Sequence, residues 1–162
     1  MVALAQDDYE LAQKFYSAGV EASREARNDF MLGWSQLILG VSYLLEGEMH
    51  LARECFLQTT KLAVVRRYSL LKRYIIYCLV VYSFEQKDFR KFVQLNSFLE
   101  KEKNLNDPFL FWLPSNVRTD FQKKVAAARA GLDQEDLNHA EADGKAMTLE
   151  QALACAVEGI DG

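Results

Sequence analysis

Apolar residues recur along this chain at helical spacing, in runs long enough to span several turns. From Met31 to Leu45 and from Leu71 to Phe84 nearly every turn is apolar and breakers are few, which predicts helices rather than strands. The expected helices run from about Asp8 to Ala26, from Asn28 and Asp29 to Glu46, from Glu48 to Val64, from Ser69 to Phe84 and from Asp88 to Glu102. Asn28 has the short acceptor side chain that caps a helix start. The stretch from Asn104 to Ser115 holds both prolines and reads as the one long loop. A sixth helix, capped by Ser115, reaches about Ala130, and Gly131 ends it. Asp133 then opens a seventh, which Gly144 is expected to terminate. Thr148 with Gln151 makes a capping box for the last helix.

The pattern repeats. Gly47-Glu48-Met49-His50-Leu51-Ala52 has a counterpart forty residues later in Lys87-Asp88-Phe89-Arg90-Lys91-Phe92, and forty earlier in Asp7-Asp8-Tyr9-Glu10-Leu11-Ala12. The step links Ala12, Ala52 and Phe92, then Tyr16, Phe56 and Asn96 one turn on. An acid at a helix start suits the positive end of the helix, and the i, i+4 pair shares one face. The unit is a helix, a tight turn and a second helix. Gly40, inside the first helix of a unit, marks a place where a neighbour can approach closely. The single domain 1–162 divides into a half repeat at 1–28, repeats at 29–66 and 67–104, and a loop with C-terminal capping helices at 105–162.

Leu39-Gly40, Tyr43, Gly47, Ala52 and Phe56 together resemble the tetratricopeptide family, whose own period is about 34 residues. The longer step of this chain is similar to the helical repeats of MalT-like bacterial regulators. Val125 to Leu132, with Ala140 to Leu153, resembles the tail after the last repeat in large regulators that join an ATP-binding domain to a LuxR-type or cyclase output domain. The resemblance covers nearly the whole chain, but no phosphate-binding Gly-Lys-Ser/Thr loop and no output domain are present in it, so a fragment or a short divergent member is expected. It implies an all-α fold: a right-handed superhelix of antiparallel helix pairs with capping helices at the C-terminus.

Carried over by spacing, the concave side of such an array would be lined by Trp34, Leu37, Val41 and Leu44, then Tyr74, Tyr77, Val81 and Phe84. All eight are apolar or aromatic. An exposed apolar face of that size needs a cover: the C-terminal helices, a second copy of the chain, or a bound helix or peptide.

Composition narrows the alternatives. Half of the 162 residues are hydrophobic, with only 8 Gly and 2 Pro, which excludes disorder and turn-rich β folds. A net charge of −4 argues against a whole-chain nucleic-acid binder. The longest uncharged apolar run, Tyr74 to Phe84, is shorter than the roughly 20 residues of a membrane helix, and no secretory signal opens the chain. Cys55, Cys78 and Cys155, odd in number and in apolar surroundings, read as reduced thiols of a cytoplasmic protein.

Catalytic chemistry is sparse. His50 and Cys55 are five residues apart, about 140° around a helix, and so do not share a face. His139 and Asp143 do, but two ligands make no zinc site. One basic cluster, Lys61, Arg66, Arg67, Lys72 and Arg73 interleaved with Tyr68 and Tyr74, has the ingredients of a phosphate or base contact, yet it straddles an expected turn where charge keeps the chain in water.

The expectation is therefore a non-catalytic interaction and signal-sensing module, with no cofactor or metal and a protein or peptide partner, including another domain of the same regulator. Two rivals stand beside it. One is a self-association domain whose apolar side is an isologous contact. The other is an effector pocket lined by Trp112 and the tyrosines.

Overall fold

The computed structural model describes residues 8–102 and 115–160 together with Leu4 and Gln6, with the backbone alone for 115–118. Eight helices make up the described residues: α1 (Tyr9–Glu25), α2 (Asp29–Glu46), α3 (Met49–Val65), α4 (Ser69–Glu85), α5 (Phe89–Lys101), α6 (Ser115–Ala130), α7 (Gln134–Ala146) and α8 (Leu149–Val157). No strand occurs among these residues, so the described part of the chain is all-α as expected. None of the helices described is long and apolar enough to cross a membrane. The expected proline loop lies outside the described residues.

Short-range chemistry sets the helix starts. Asp8, Asn28, Asp88 and Asp133 each accept the N–H three residues on, those of Leu11, Met31, Lys91 and Asp136, at 2.8–3.1 Å. Thr148 and Gln151 form the full reciprocal capping box. Each contact satisfies a donor that the first helical turn leaves open.

The ends of the first four helices share one geometry. Arg27, Gly47, Arg67 and Lys87 take the left-handed conformation, with φ of 52°, 90°, 54° and 60°. The next residue's N–H reaches back to a carbonyl of the last turn: Asn28 to Ser23, Glu48 to Tyr43, Tyr68 to Ala63 and Asp88 to Ser83, at 2.9–3.0 Å. The left-handed residues themselves donate to Arg24, Leu44, Val64 and Phe84 at 2.9–3.2 Å. This is the Schellman closure, recurring every 20 residues. The forty-residue echo is thus two equal helix-and-turn modules of 20.

Two compact units result, Met1–Ile75 with Gly159–Gly162, and Ile76–Glu158, the division falling inside α4. In the first unit α2 packs on both α1 and α3. A Cβ on Gly40 would stand 2.7 Å from Phe56 Cε1 and 2.9 Å from Cys55 Cβ, so the glycine marks a close helix approach, as its place in the sequence suggested. Leu4, Ala12 and Ile38 form a buried cluster ringed by Tyr9, Tyr16, Trp34, Val41 and Leu45.

In the second unit α5 is the hub, with α6, α7 and α8 packed on it. Phe92, Leu95, Phe98 and Leu99 are buried there, and Phe92 meets the rings of Phe84 and Phe121 at 5.5 and 5.8 Å. Gly144 does not end α7, which continues to Ala146. The glycine is buried because the helix lies directly on the α5 backbone: a Cβ at 144 would collide with the Gln94 carbonyl oxygen and stand 3.0 Å from Ser97 Cβ.

Candidate functional site

The eight apolar positions named from the sequence divide between the units. In the first, Leu37, Leu44 and Tyr74 are buried and Trp34 and Val41 half-buried; the Trp34 ring meets Tyr74 edge-on at 5.4 Å. In the second, Tyr77 is buried and Val81 and Phe84 are half-buried. Phe84 takes Lys124 Nζ over its ring at 4.8 Å, and the same ammonium is 2.6 Å from Glu85. Half of these side chains are therefore already packed, and a ligand reaching them has to displace neighbours. Helices α2 and α4 are apolar nearly all round, the pattern of a helix covered on most sides.

An open cleft lies instead across α1, α2 and α3 of the first unit, about 350 Å³ in volume. Ser17, Glu21 and Arg24 of α1 form one wall, Cys55 and Gln58 of α3 the other, with Gln36 and Leu39 of α2 between. Gln36, largely buried, donates through Nε2 to Gln58 Oε1 at 2.9 Å. Arg24 pairs with Glu21 at 2.8 Å on the rim. The cleft thus combines a short apolar floor with an amide pair that can both donate and accept. Sequence reasoning did not single out either glutamine. The signal was present, because Gln36 is the one amide side chain inside the apolar run from Met31 to Leu45.

The cleft's cysteine is not a nucleophile at neutral pH. Burial, with the nearby Glu54 charge second, pushes the Cys55 thiol up to about 11, and only a thiolate attacks or binds metal well. Burial raises Cys78 as well. Cys155 is also raised, chiefly by burial, and its thiol donates to Gln94 Oε1 at 3.6 Å. All three are free thiols. Among the described residues no group of three or more His, Cys, Asp or Glu side chains is placed to hold a metal.

The basic cluster is exposed only in part, Arg73 being half-buried. Lys61, Arg66 and Arg67 are exposed, but Lys72 is buried and Arg66 is held by Asp29 at 2.5 Å. Tyr68 sits edge-on against Phe30, ring centres 5.5 Å apart, and Tyr74 is committed to Trp34. Tyr74 is buried and offers no face for a base to stack on. Trp112, the suggested wall of an effector pocket, lies outside the described residues. No family model matches the chain, and no curated protein or solved structure matches it either.

Proposed function

We propose that this chain is a non-catalytic interaction module of tetratricopeptide-like helix pairs, and that it holds an extended segment of a protein partner in the cleft across α1, α2 and α3. The observation that carries this reading is the Gln36–Gln58 amide pair facing an open groove. An extended peptide offers alternating N–H and C=O groups, and amide side chains are the neutral groups able to meet both. The identical turns at 20-residue intervals support helix pairs stacked with a constant step, the arrangement that generates a right-handed superhelix. In a regulator, capture of this kind biases an attached switch domain only if the bound segment prefers one of its two states.

The test is selection of peptides from a display library by the purified chain, followed by titration of the selected peptides against variants. Gln58→Ala and Arg24→Glu alter exposed side chains, so the helical circular dichroism stays as in the parent. Loss of one amide contact weakens binding by about tenfold. Selected peptides that bind both variants as tightly as the parent chain place recognition elsewhere and refute the cleft.

A further inference from the structure

The outer flank of α1 carries Leu11, Phe15, Ala18 and Ala22, spaced four, three and four residues apart, and all are exposed. Phe15 is 65% exposed and Leu11 38%. Leu11 in the first turn and Phe15 one turn on make a contiguous apolar patch with the two alanines. The repeat shows what lies on such a flank. A forty-residue step carries Phe15 onto Cys55 and Ala22 onto Leu62 of α3. There the flank lies against a helix and is half-buried: Cys55 Cβ and Leu62 Cδ2 lie 2.9 and 3.2 Å from where methyl groups on Gly40 and Gly33 of α2 would stand. The flank of α1 is therefore the helix-packing side of the repeat, with no helix on it among the described residues.

We propose that this flank is an interface between two copies of the chain, with α1 packed antiparallel against α1 of the second copy. The stripe is self-complementary in that direction alone. Its order is large, large, small, small. An antiparallel partner sets Leu11 against Ala22 and Phe15 against Ala18, then the same two pairs in reverse, so every large side chain meets an alanine and the helices approach closely. A parallel partner stacks phenylalanine on phenylalanine and leaves a gap between the alanines. Charge agrees with size. Lys14 and Glu21, both exposed, flank the stripe on the same edge, and the antiparallel arrangement brings Lys14 of each copy to Glu21 of the other, beside the Arg24 that Glu21 already meets at 2.8 Å within its own helix. The contact uses none of the buried inner positions; it shares Ala18 and Glu21 with the rim of the cleft, so self-association is measured without peptide, and Phe15 and Lys14, which do not line the cleft, report on the dimer alone.

Sedimentation equilibrium of the full 162-residue chain from micromolar to sub-millimolar concentration reads the result directly. The parent chain shows a reversible dimer of twice 18.5 kDa. Phe15→Glu raises its dissociation constant by at least about tenfold with unchanged helical circular dichroism, since the side chain is exposed. Lys14→Glu and Glu21→Lys each weaken the dimer by bringing like charges together, and the double variant restores it, an effect that general surface damage does not produce. A parent chain that stays monomeric across the range overturns the proposal. So does a dimer that survives Phe15→Glu, or a double variant no better than the singles.

Discussion

Replacing Gly144 by Ala sets two well-measured effects against each other. Gly144 lies inside α7, and in an isolated helix the change would stabilise by about 1 kcal/mol, because alanine loses less backbone freedom on folding. In the folded chain the added methyl lands on the Gln94 carbonyl oxygen, 2.8 Å from the carbonyl carbon and 3.0 Å from Ser97 Cβ. Its obstacle is the helix backbone of α5, which cannot swing aside as a flexible side chain can. Overpacking of this kind costs typically 1–3 kcal/mol, and an immovable obstacle belongs at the upper end. The net is a loss of about 2 kcal/mol, or roughly 4–8 °C in melting temperature for a chain of this size. Urea unfolding followed by far-ultraviolet circular dichroism measures it, with Ala142→Gly as the control. That exposed position in the same helix should lose only the propensity difference of about 1 kcal/mol. If Gly144→Ala is as stable as the parent or more so, α7 is not pressed onto α5, and the packing of the second unit described above is wrong.

Three further outcomes are expected. Arg67→Gly and Lys87→Gly relieve left-handed strain of about 1 kcal/mol but loosen the unfolded chain by nearly as much, so each shifts stability upward by no more than about 0.5 kcal/mol, while Gly47→Ala lowers it by about 1 kcal/mol; urea midpoints decide, and a marked loss for Arg67→Gly contradicts the turn geometry. The Cys55 thiol has an ordinary value of 9.0 and is held up to about 11 in the fold, so the unfolded chain ionises first and stability falls as pH climbs from about 9 toward 11. Cys55→Ala should make that alkaline decline shallower, and an identical slope shows that the thiol is not shielded as described. Thr148→Ala removes the capping box of α8 and should cost about 1 kcal/mol, seen as faster amide exchange in α8; unchanged exchange means the cap does not hold that helix.

Much of the fold was legible because helix ends are written in local chemistry. Asn28 and Thr148 cap where the sequence suggested, and Asp8, Asp88 and Asp133 cap at the helix starts read there, since a side chain three residues from an open N–H needs no knowledge of the rest of the molecule; Glu48, at the matching place, makes no such bond. Gly144 was misread for the complementary reason. A glycine that stops a helix and a glycine that lets another backbone approach look alike in one dimension, and only Gln94, fifty residues earlier, tells them apart. The same limit hid the 20-residue step. Of the four left-handed turn residues only Gly47 is a glycine, whereas Arg27, Arg67 and Lys87 read as ordinary solvated charge.

The candidate site shows the limit most clearly. An apolar face predicted from spacing is also the most probable face to be buried, because the property that marks it, a stripe of Leu, Tyr and Trp, is what drives packing. Leu37, Leu44, Tyr74 and Tyr77 are buried for that reason. What borders open surface is recognisable by contrast: an amide such as Gln36 where the pattern calls for an apolar residue, or a phenylalanine such as Phe15, 65% exposed where its repeat equivalent Cys55 is half-buried against α2. Where helix-and-turn modules recur every 20 residues, as they do up to Lys87, function is to be sought at positions where one module departs from its neighbours, since the positions they share are already spent on holding the helices together.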